Sequence, residues 1–131
     1  QDIYLQDIVP TTLDLANIEI PDEIDFKSFY PIINKQSEKS SHNGIYGTFG
    51  CCPPNYKDFQ RMIRKDGFKL MAFPVNKRIE LYDLKSDPYE KNNLSEKLKF
   101  KNKINDMLSD LILIQEEVGD TLNLKQIFNI N

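Results

Sequence analysis

The sequence predicts an α+β fold: an antiparallel sheet of about four strands, a long C-terminal amphipathic helix packed against it, and a peripheral N-terminal helix. Three observations predict it. Between residues 43 and 84, short apolar runs alternate with turn signals, as strands joined by hairpins do. From Leu98 to Val118 the apolar residues return at three- and four-residue steps, the spacing of one helix face. A shorter stretch over residues 7–16 carries the same period.

Taken in order, Asp7-Ile-Val-Pro-Thr-Thr-Leu-Asp-Leu-Ala16 reads as a short helix, with Asp7 as N-cap. Pro10 fits only in its first turn, where a missing N–H costs nothing. Leu5, Ile8, Thr12, Leu13, Leu15 and Ala16 form the expected apolar stripe. Pro21-Asp22-Glu23 opens a loop, and the polar run from Lys35 to Asn43 reads as a solvated linker. Asn43–Phe49 and Phe59–Arg64 are strand candidates, the second with Phe59, Arg61 and Ile63 on one face and Met62 on the other. Asp66-Gly67 marks a two-residue hairpin leading into Phe68–Phe73. Pro74–Lys77 turns the chain again, into the strand Arg78–Leu84. Asp87-Pro88-Tyr89-Glu90 has the pattern of a helix start, with cap, first-position proline and acid. The long helix follows from Ser95, carries Leu98, Ile104, Met107, Leu108, Leu111, Ile114 and Val118, and stops at Gly119. Leu122, Leu124, Ile127 and Phe128 either pack back on the core or fray.

Composition narrows the function classes. The 131 residues suffice for one modest core, and the 40% hydrophobic and 28% charged fractions are those of a globular protein. The net charge is −3 and the basic residues are scattered, which argues against nucleic-acid binding through concentrated positive charge. No apolar run approaches the length of a membrane span, so no membrane partner is expected. The start Gln1-Asp2-Ile3 has no initiating Met, basic n-region or apolar signal, and reads as a truncation. Cys51 and Cys52 are adjacent and could close only a small strained ring, so they read as two thiols in a turn. With His42 the lone histidine, a zinc site is not expected.

Three segments together resemble the sulfatase family, the arylsulfatase-like sulfuric ester hydrolases of the alkaline phosphatase superfamily. Asp7-Ile-Val-Pro-Thr-Thr-Leu-Asp-Leu-Ala-Asn-Ile18 resembles that family's Asp-Ile-x-Pro-Thr-x-Leu-Asp-Leu-Ala-Gly-Ile helix. Ile45-Tyr46-Gly47, Arg61-Met-Ile-Arg64 and Phe68-Lys69-Leu70-Met71 resemble its Tyr-Gly, Arg-x-x-Arg and Tyr-Lys-Leu-Ile strands. Leu81-Tyr82-Asp83-Leu84-Lys85-Ser86-Asp87-Pro88-Tyr89-Glu90-Lys91-Asn92-Asn93-Leu94 follows its Leu-Tyr-Asp-Leu-x-x-Asp-Pro-x-Glu-x-x-Asn-Leu signature nearly throughout. Asn17 stands in place of the family's Gly, and Asp25-Phe26-Lys27-Ser28-Phe29 in place of Asp-Gly-x-Ser-Leu, so altered local backbone angles are expected.

The resemblance implies a C-terminal sulfatase region whose parent enzyme hydrolyses a sulfate ester, plausibly of a carbohydrate. It also implies a formylglycine nucleophile, a calcium ion and a catalytic domain, all upstream of Gln1, and a periplasmic or secreted location. Cys51-Cys52-Pro53-Pro54-Asn55 does not match the family's Cys/Ser-x-Pro-x-Arg, so no catalytic or metal residue is assigned and the isolated chain is expected to be inactive. Residues 1–34 are expected to join the catalytic domain, and 35–131 to form the C-terminal subdomain of sheet and helix. His42, Tyr56, Lys57 and Arg61 are candidates for the rim of a substrate pocket. Arg61 and Arg64 read better as solvated or internally paired. Asn93 is expected to cap the turn beneath the signature. The excised region should expose an apolar surface and self-associate through it. The competing reading is a free-standing glycan-binding or assembly module, which would need aromatics such as Tyr46, Phe49, Tyr56 and Phe68 exposed on one sheet face.

Overall fold

The structure, a computed structural model, describes residues 2–38, 40–50 and 59–130. They form two compact units, Gln1–Ile45 and Tyr46–Asn131.

The second unit is built around a four-stranded antiparallel sheet in the order β1-β2-β3-β4: β1 Ile45–Phe49, β2 Gln60–Lys65, β3 Phe68–Phe73 and β4 Arg78–Asp83. Local turn chemistry sets this order. Asp66 and Gly67 both take positive φ (54° and 80°), the pair of left-handed residues that a two-residue hairpin needs to match strand twist. The resulting register pairs Ile63 with Leu70, and Leu70 in turn with Leu81. This apolar cross-strand row is entirely shielded from solvent. Pro74–Asn76 forms one 3-10 turn and Lys77, at φ 48°, closes it into β4. On β1, Gly47 leaves room for Met62: a Cβ there would lie 3.0 Å from Met62 Cε.

The inner face of the sheet meets α3, Lys101–Glu117, which packs on β2 and β3. Its buried residues are Met107, Leu108, Leu111, Ile112, Ile114 and Gln115, and each large apolar side chain so buried contributes about 1.5–3 kcal/mol. A Lys65–Asp110 ion pair of 2.7 Å ties β2 to the helix. Gly119, at φ 69°, follows the helix as a left-handed stop. The tail packs back: α4, Leu124–Ile127, buries Leu124 completely, and Leu122, Phe128 and Ile130 lie against the core.

Two expectations for this unit are corrected. Asp87-Pro88 starts a turn, not a helix. The Asp87 carboxylate takes the Asn92 N–H at 2.7 Å and Glu90 adopts φ 55°, both of which stop a helix from propagating. Regular helix therefore begins only at Lys101, after a 3-10 turn at Leu98–Phe100, and Leu98 and Val118 are exposed, outside the buried face.

The first unit holds a 3-10 turn at Leu5–Asp7, α1 Ile8–Leu15 and the one-turn α2 Tyr30–Ile33. Here burial does not follow the apolar stripe. Asp7, Pro10 and Thr11 are buried, while Leu5, Ile8 and Leu15 from the predicted stripe are exposed. Asn17 takes φ 52° and so keeps the left-handed geometry usual for Gly, which Asn tolerates, and Phe26 keeps a negative φ. The run 35–43 is also more than a solvated linker: Ser40 Oγ donates to the Asp2 carbonyl at 2.9 Å, and His42 is largely buried.

Candidate functional site

Two polar clusters, one in each unit, stand out from otherwise ordinary packing. In the first unit the hub is Asp7, only 1% exposed. Its Oδ2 accepts the Tyr4 N–H at 2.8 Å and its Oδ1 the Lys27 N–H at 3.2 Å. His42 Nε2 lies 2.9 Å from Oδ2 and 3.0 Å from Oδ1, and serves as donor to the carboxylate. The Tyr4 ring stands edge-on to the imidazole with centroids 4.8 Å apart, and Phe26 packs edge-on to Tyr4. One helical turn after Asp7, Thr11 Oγ1 donates to the Asp7 carbonyl at 2.6 Å and accepts the Phe29 N–H at 3.0 Å. Asp7 and Thr11 thus hold the irregular segment around residues 27–29 by two of its backbone N–H groups, satisfying donors that burial would leave unpaired. The Asp-Ile-x-Pro-Thr spacing encodes this, because it puts both polar side chains on the inward face of the helix. Asp7 is therefore a hub rather than a side-chain N-cap of α1.

In the second unit the hub is Asp120, just past α3. It takes a bidentate pair from Arg61, Nε to Oδ2 and a terminal guanidinium N–H to Oδ1 at 3.1 Å. Tyr46 Oη donates to Oδ2 and the Leu122 N–H to Oδ1 at 3.0 Å. Burial alone would raise the Asp120 pKa, but the donors from Arg61, Tyr46 and Leu122 outweigh it and hold the carboxyl well below the usual carboxylate range. Burial, then the bond to Asp120, pushes the Tyr46 phenol well above its ordinary value. Arg61 also donates to the Gln60 carbonyl at 2.9 Å. This cluster fastens β1, β2 and the start of the tail together.

The Leu81–Leu94 signature forms a corner of the same unit. Asn93 Oδ1 accepts the Leu81 N–H at 3.1 Å and the Ser95 N–H at 3.0 Å, while the Leu94 N–H bonds the Leu81 carbonyl at 2.8 Å. Backbone N–H groups of Lys91 and Asn92 hold the Asp87 carboxyl below its ordinary pKa. Lys69 reaches across from β3 to Glu90 at 2.8 Å.

Of the four rim candidates, His42 is bound to Asp7 in the first unit and Arg61 to Asp120 in the second. Tyr56 and Lys57 lie outside the described residues, as do Cys51 and Cys52. Among the aromatics that a glycan-binding face would use, Tyr46 and Phe68 pack against the core, and Phe68 also meets Phe100. Sequence reasoning overlooked Asp120 and assigned Asp7 a capping role. Gly119-Asp120 at a helix end was the available signal for the former, but its partner Arg61 lies far away in sequence.

Among the described residues there is no group of three or more His, Cys, Asp or Glu that could hold a metal ion. The described side chains therefore do not fit a calcium site of the kind that the family resemblance implies. No helix of the described residues is long and apolar enough to cross a membrane.

The family model for the C-terminal region of N-sulphoglucosamine sulphohydrolase matches residues 2–117. The chain belongs to this sulfatase C-terminal family. It is 31% identical to a Δ4,5-hexuronate-2-O-sulfatase of Bacteroides thetaiotaomicron, over 72% of this chain and 20% of that protein. It is 31% identical to an arylsulfatase of Clostridium perfringens, over 89% of this chain and 23% of the relative. Among solved structures, BT4656 in complex with its substrate D-glucosamine-2-N,6-O-disulfate superposes with a TM-score of 0.72 at 28% identity, over 88% of this chain and 24% of that one. The chain thus spans a quarter or less of each of these proteins. All three sulfatase-like segments of the sequence fall within the matched region.

Proposed function

We propose that this chain is the C-terminal scaffold of a sulfatase that hydrolyses sulfate esters of a carbohydrate, and that the nucleophile and the metal site are supplied by a separate large domain of the same polypeptide. The observation that carries the reading is the family match over residues 2–117, combined with the internal pairing of every polar cluster described above. A hexuronate sulfatase and a protein solved with a sulfated glucosamine among the similar proteins support a sulfated sugar as the substrate class.

In this reading Asp7, His42, Arg61 and Asp120 are anchors of the scaffold. Arg61 has committed its planar fork to a carboxylate, so offering it to a sulfate would leave the half-buried Asp120 without its cation, which is costly. The test is sulfate release from glucosamine 6-sulfate, with calcium present, by the protein of the full reading frame and by the 131-residue chain. Turnover by the full frame alone supports the reading. A frame that encodes no large domain, or an inactive full-length protein that nonetheless binds sulfated sugars through this chain, overturns it in favour of a binding module.

A further inference from the structure

We infer that the shallow trough formed by α4 and the turn after it is a binding site for a sugar residue that carries one sulfate or carboxylate group, held within a longer saccharide. The sugar as ligand class rests on the proposed function above. The site itself is built from residues beyond the family match, which ends at residue 117. Asn123, Lys125, Gln126, Asn129 and Ile130 line the trough, whose volume is about 480 Å³. Small-molecule sites commonly hold roughly 300–1,000 Å³.

Local backbone chemistry makes the trough. Asn123 Oδ1 accepts the Gln126 N–H at 2.9 Å and so caps α4. Asn129 takes φ 53°, a left-handed stop that Asn tolerates. The Ile130 N–H then returns to the Lys125 carbonyl at 3.0 Å and the Asn129 N–H to the Gln126 carbonyl at 3.4 Å, which folds residues 129–130 back beside the helix. Leu124 is completely buried, and Phe128 and Ile130 lie against the core. The trough is thus fixed to the core of the second unit, so little ordering entropy is lost when a ligand enters.

Its chemistry selects the ligand. Asn123, Gln126 and Asn129 bring three exposed carboxamides to the lining. A carboxamide offers a donor and an acceptor side by side, and a sugar hydroxyl can meet either. The Asn123 oxygen is used by the cap, which leaves its NH2 group as an oriented donor. Lys125 is exposed and has no carboxylate partner among the described residues. Residues 121–131 contain no Asp or Glu, and the preceding acid, Asp120, is committed to Arg61. The cation is therefore open to an anionic group on the ligand. It acts as a point charge that demands no single geometry, so a sulfate ester and a carboxylate both fit. One cation is too few for nucleic acid, where several phosphates must be neutralised. A lining with one apolar side chain, Ile130, gives an apolar ligand little to bury against. The trough is open rather than enclosed, which suits a residue inside a saccharide whose neighbours leave the site on both sides.

The experiment titrates the isotope-labelled 131-residue chain and follows the NMR signals of residues 123–130, side-chain NH2 groups included. The probes are N-acetylglucosamine 6-sulfate, glucuronate, N-acetylglucosamine and inorganic sulfate. Saturable shifts confined to residues 123–130 are expected with the two anionic sugars. Loss of charge, in N-acetylglucosamine or in Lys125→Gln, should weaken binding about tenfold, as for a lost charge-assisted hydrogen bond. Asn129→Gly should weaken it about threefold or more while keeping the turn, because Gly takes the same φ. Unchanged signals of core amides such as Leu70 and Leu81 check that both variants fold. Shifts with one anionic sugar and not the other support the site and name the anion it takes. Inorganic sulfate that binds as tightly as the sugars, with Asn129→Gly without effect, means an adventitious ion only and overturns the sugar site. No saturable shift with either anionic sugar, or an affinity unchanged in Lys125→Gln, also overturns it. Sulfate release by the full-length protein reads the proposed function separately. An active enzyme whose 131-residue chain shows no shifts defeats this inference alone, and an inactive one whose chain binds the sugar leaves the site standing while the proposed function fails.

Discussion

The helices α1 and α3 spend their side chains in opposite ways. In α3 the inward residues are Met107, Leu108, Leu111 and Ile114, which close a core with Ile63, Leu70 and Leu81 from the sheet. At α1 the inward residues are Pro10, Thr11 and, just before the helix, Asp7, whereas Ile8, Val9 and Leu15 are exposed and Leu13 is half-buried. The second unit therefore contains both halves of its core, while the first places hydrogen bonds to one carboxylate and one hydroxyl at the centre of its packing. Directional bonds fix the path of a segment, but their net contribution to stability is small beside that of a buried apolar face.

The comparison predicts a graded series of effects. Leu111→Ala should cost the most, about 2–5 kcal/mol in urea unfolding, because the side chain is fully buried between helix and sheet. A loss below about 1 kcal/mol would mean that α3 does not seal the core in solution. Next, Arg61→Met leaves Asp120 largely buried without its cation and should cost about 3 kcal/mol. A double-mutant cycle with Asp120→Asn should recover much of that loss, and strict additivity would contradict the direct pair.

The same pair sets a pH dependence. The Asp120 carboxyl titrates below its unfolded range, so its stabilisation is in full force above the unfolded pKa of about 3.9 and is lost as pH falls through the folded value. Between pH 6 and pH 3 the wild type should thus lose more stability than Asp120→Asn. Equal losses would remove Asp120 from the account. Asn93→Ala should cost about 1 kcal/mol, for the Leu81 and Ser95 N–H groups left without their acceptor. At the small end, Val9→Ser in the 131-residue chain should change stability by less than about 0.5 kcal/mol, as expected for an exposed site.

This contrast also separates what was legible in the sequence from what was not. The β2–β3 hairpin could be read because Asp66-Gly67 is a local code whose two positive φ values need no distant partner. The face of α3 could be read because its apolar period matches a core made by the same chain. Asp7 misled because an acid ahead of an apolar run looks like a cap, and its partners Lys27 and His42 come 20 and 35 residues later. Arg61 was singled out, but its partner Asp120 was invisible for the same reason, the two being 59 residues apart. Asp87-Pro88 carried a helix-start pattern, yet the Asp87 side chain captures an N–H that would belong to the first turns of that helix. The stripe on α1 was legible as a pattern on a peripheral helix, but periodicity reports which residues share a face and not whether the same unit covers it.

Native-state hydrogen exchange of the 131-residue chain tests the central contrast most directly. The account predicts that amides of β3, β4 and α3, such as those of Leu70, Leu81 and Leu111, exchange only with global opening of their unit. Amides at the end of α1, such as those of Ala16 and Ile18, should exchange much faster by local opening, and should become protected in the full-length protein. Protection of α1 equal to that of β3 in the 131-residue chain alone would contradict the account, because the first unit would then need no partner.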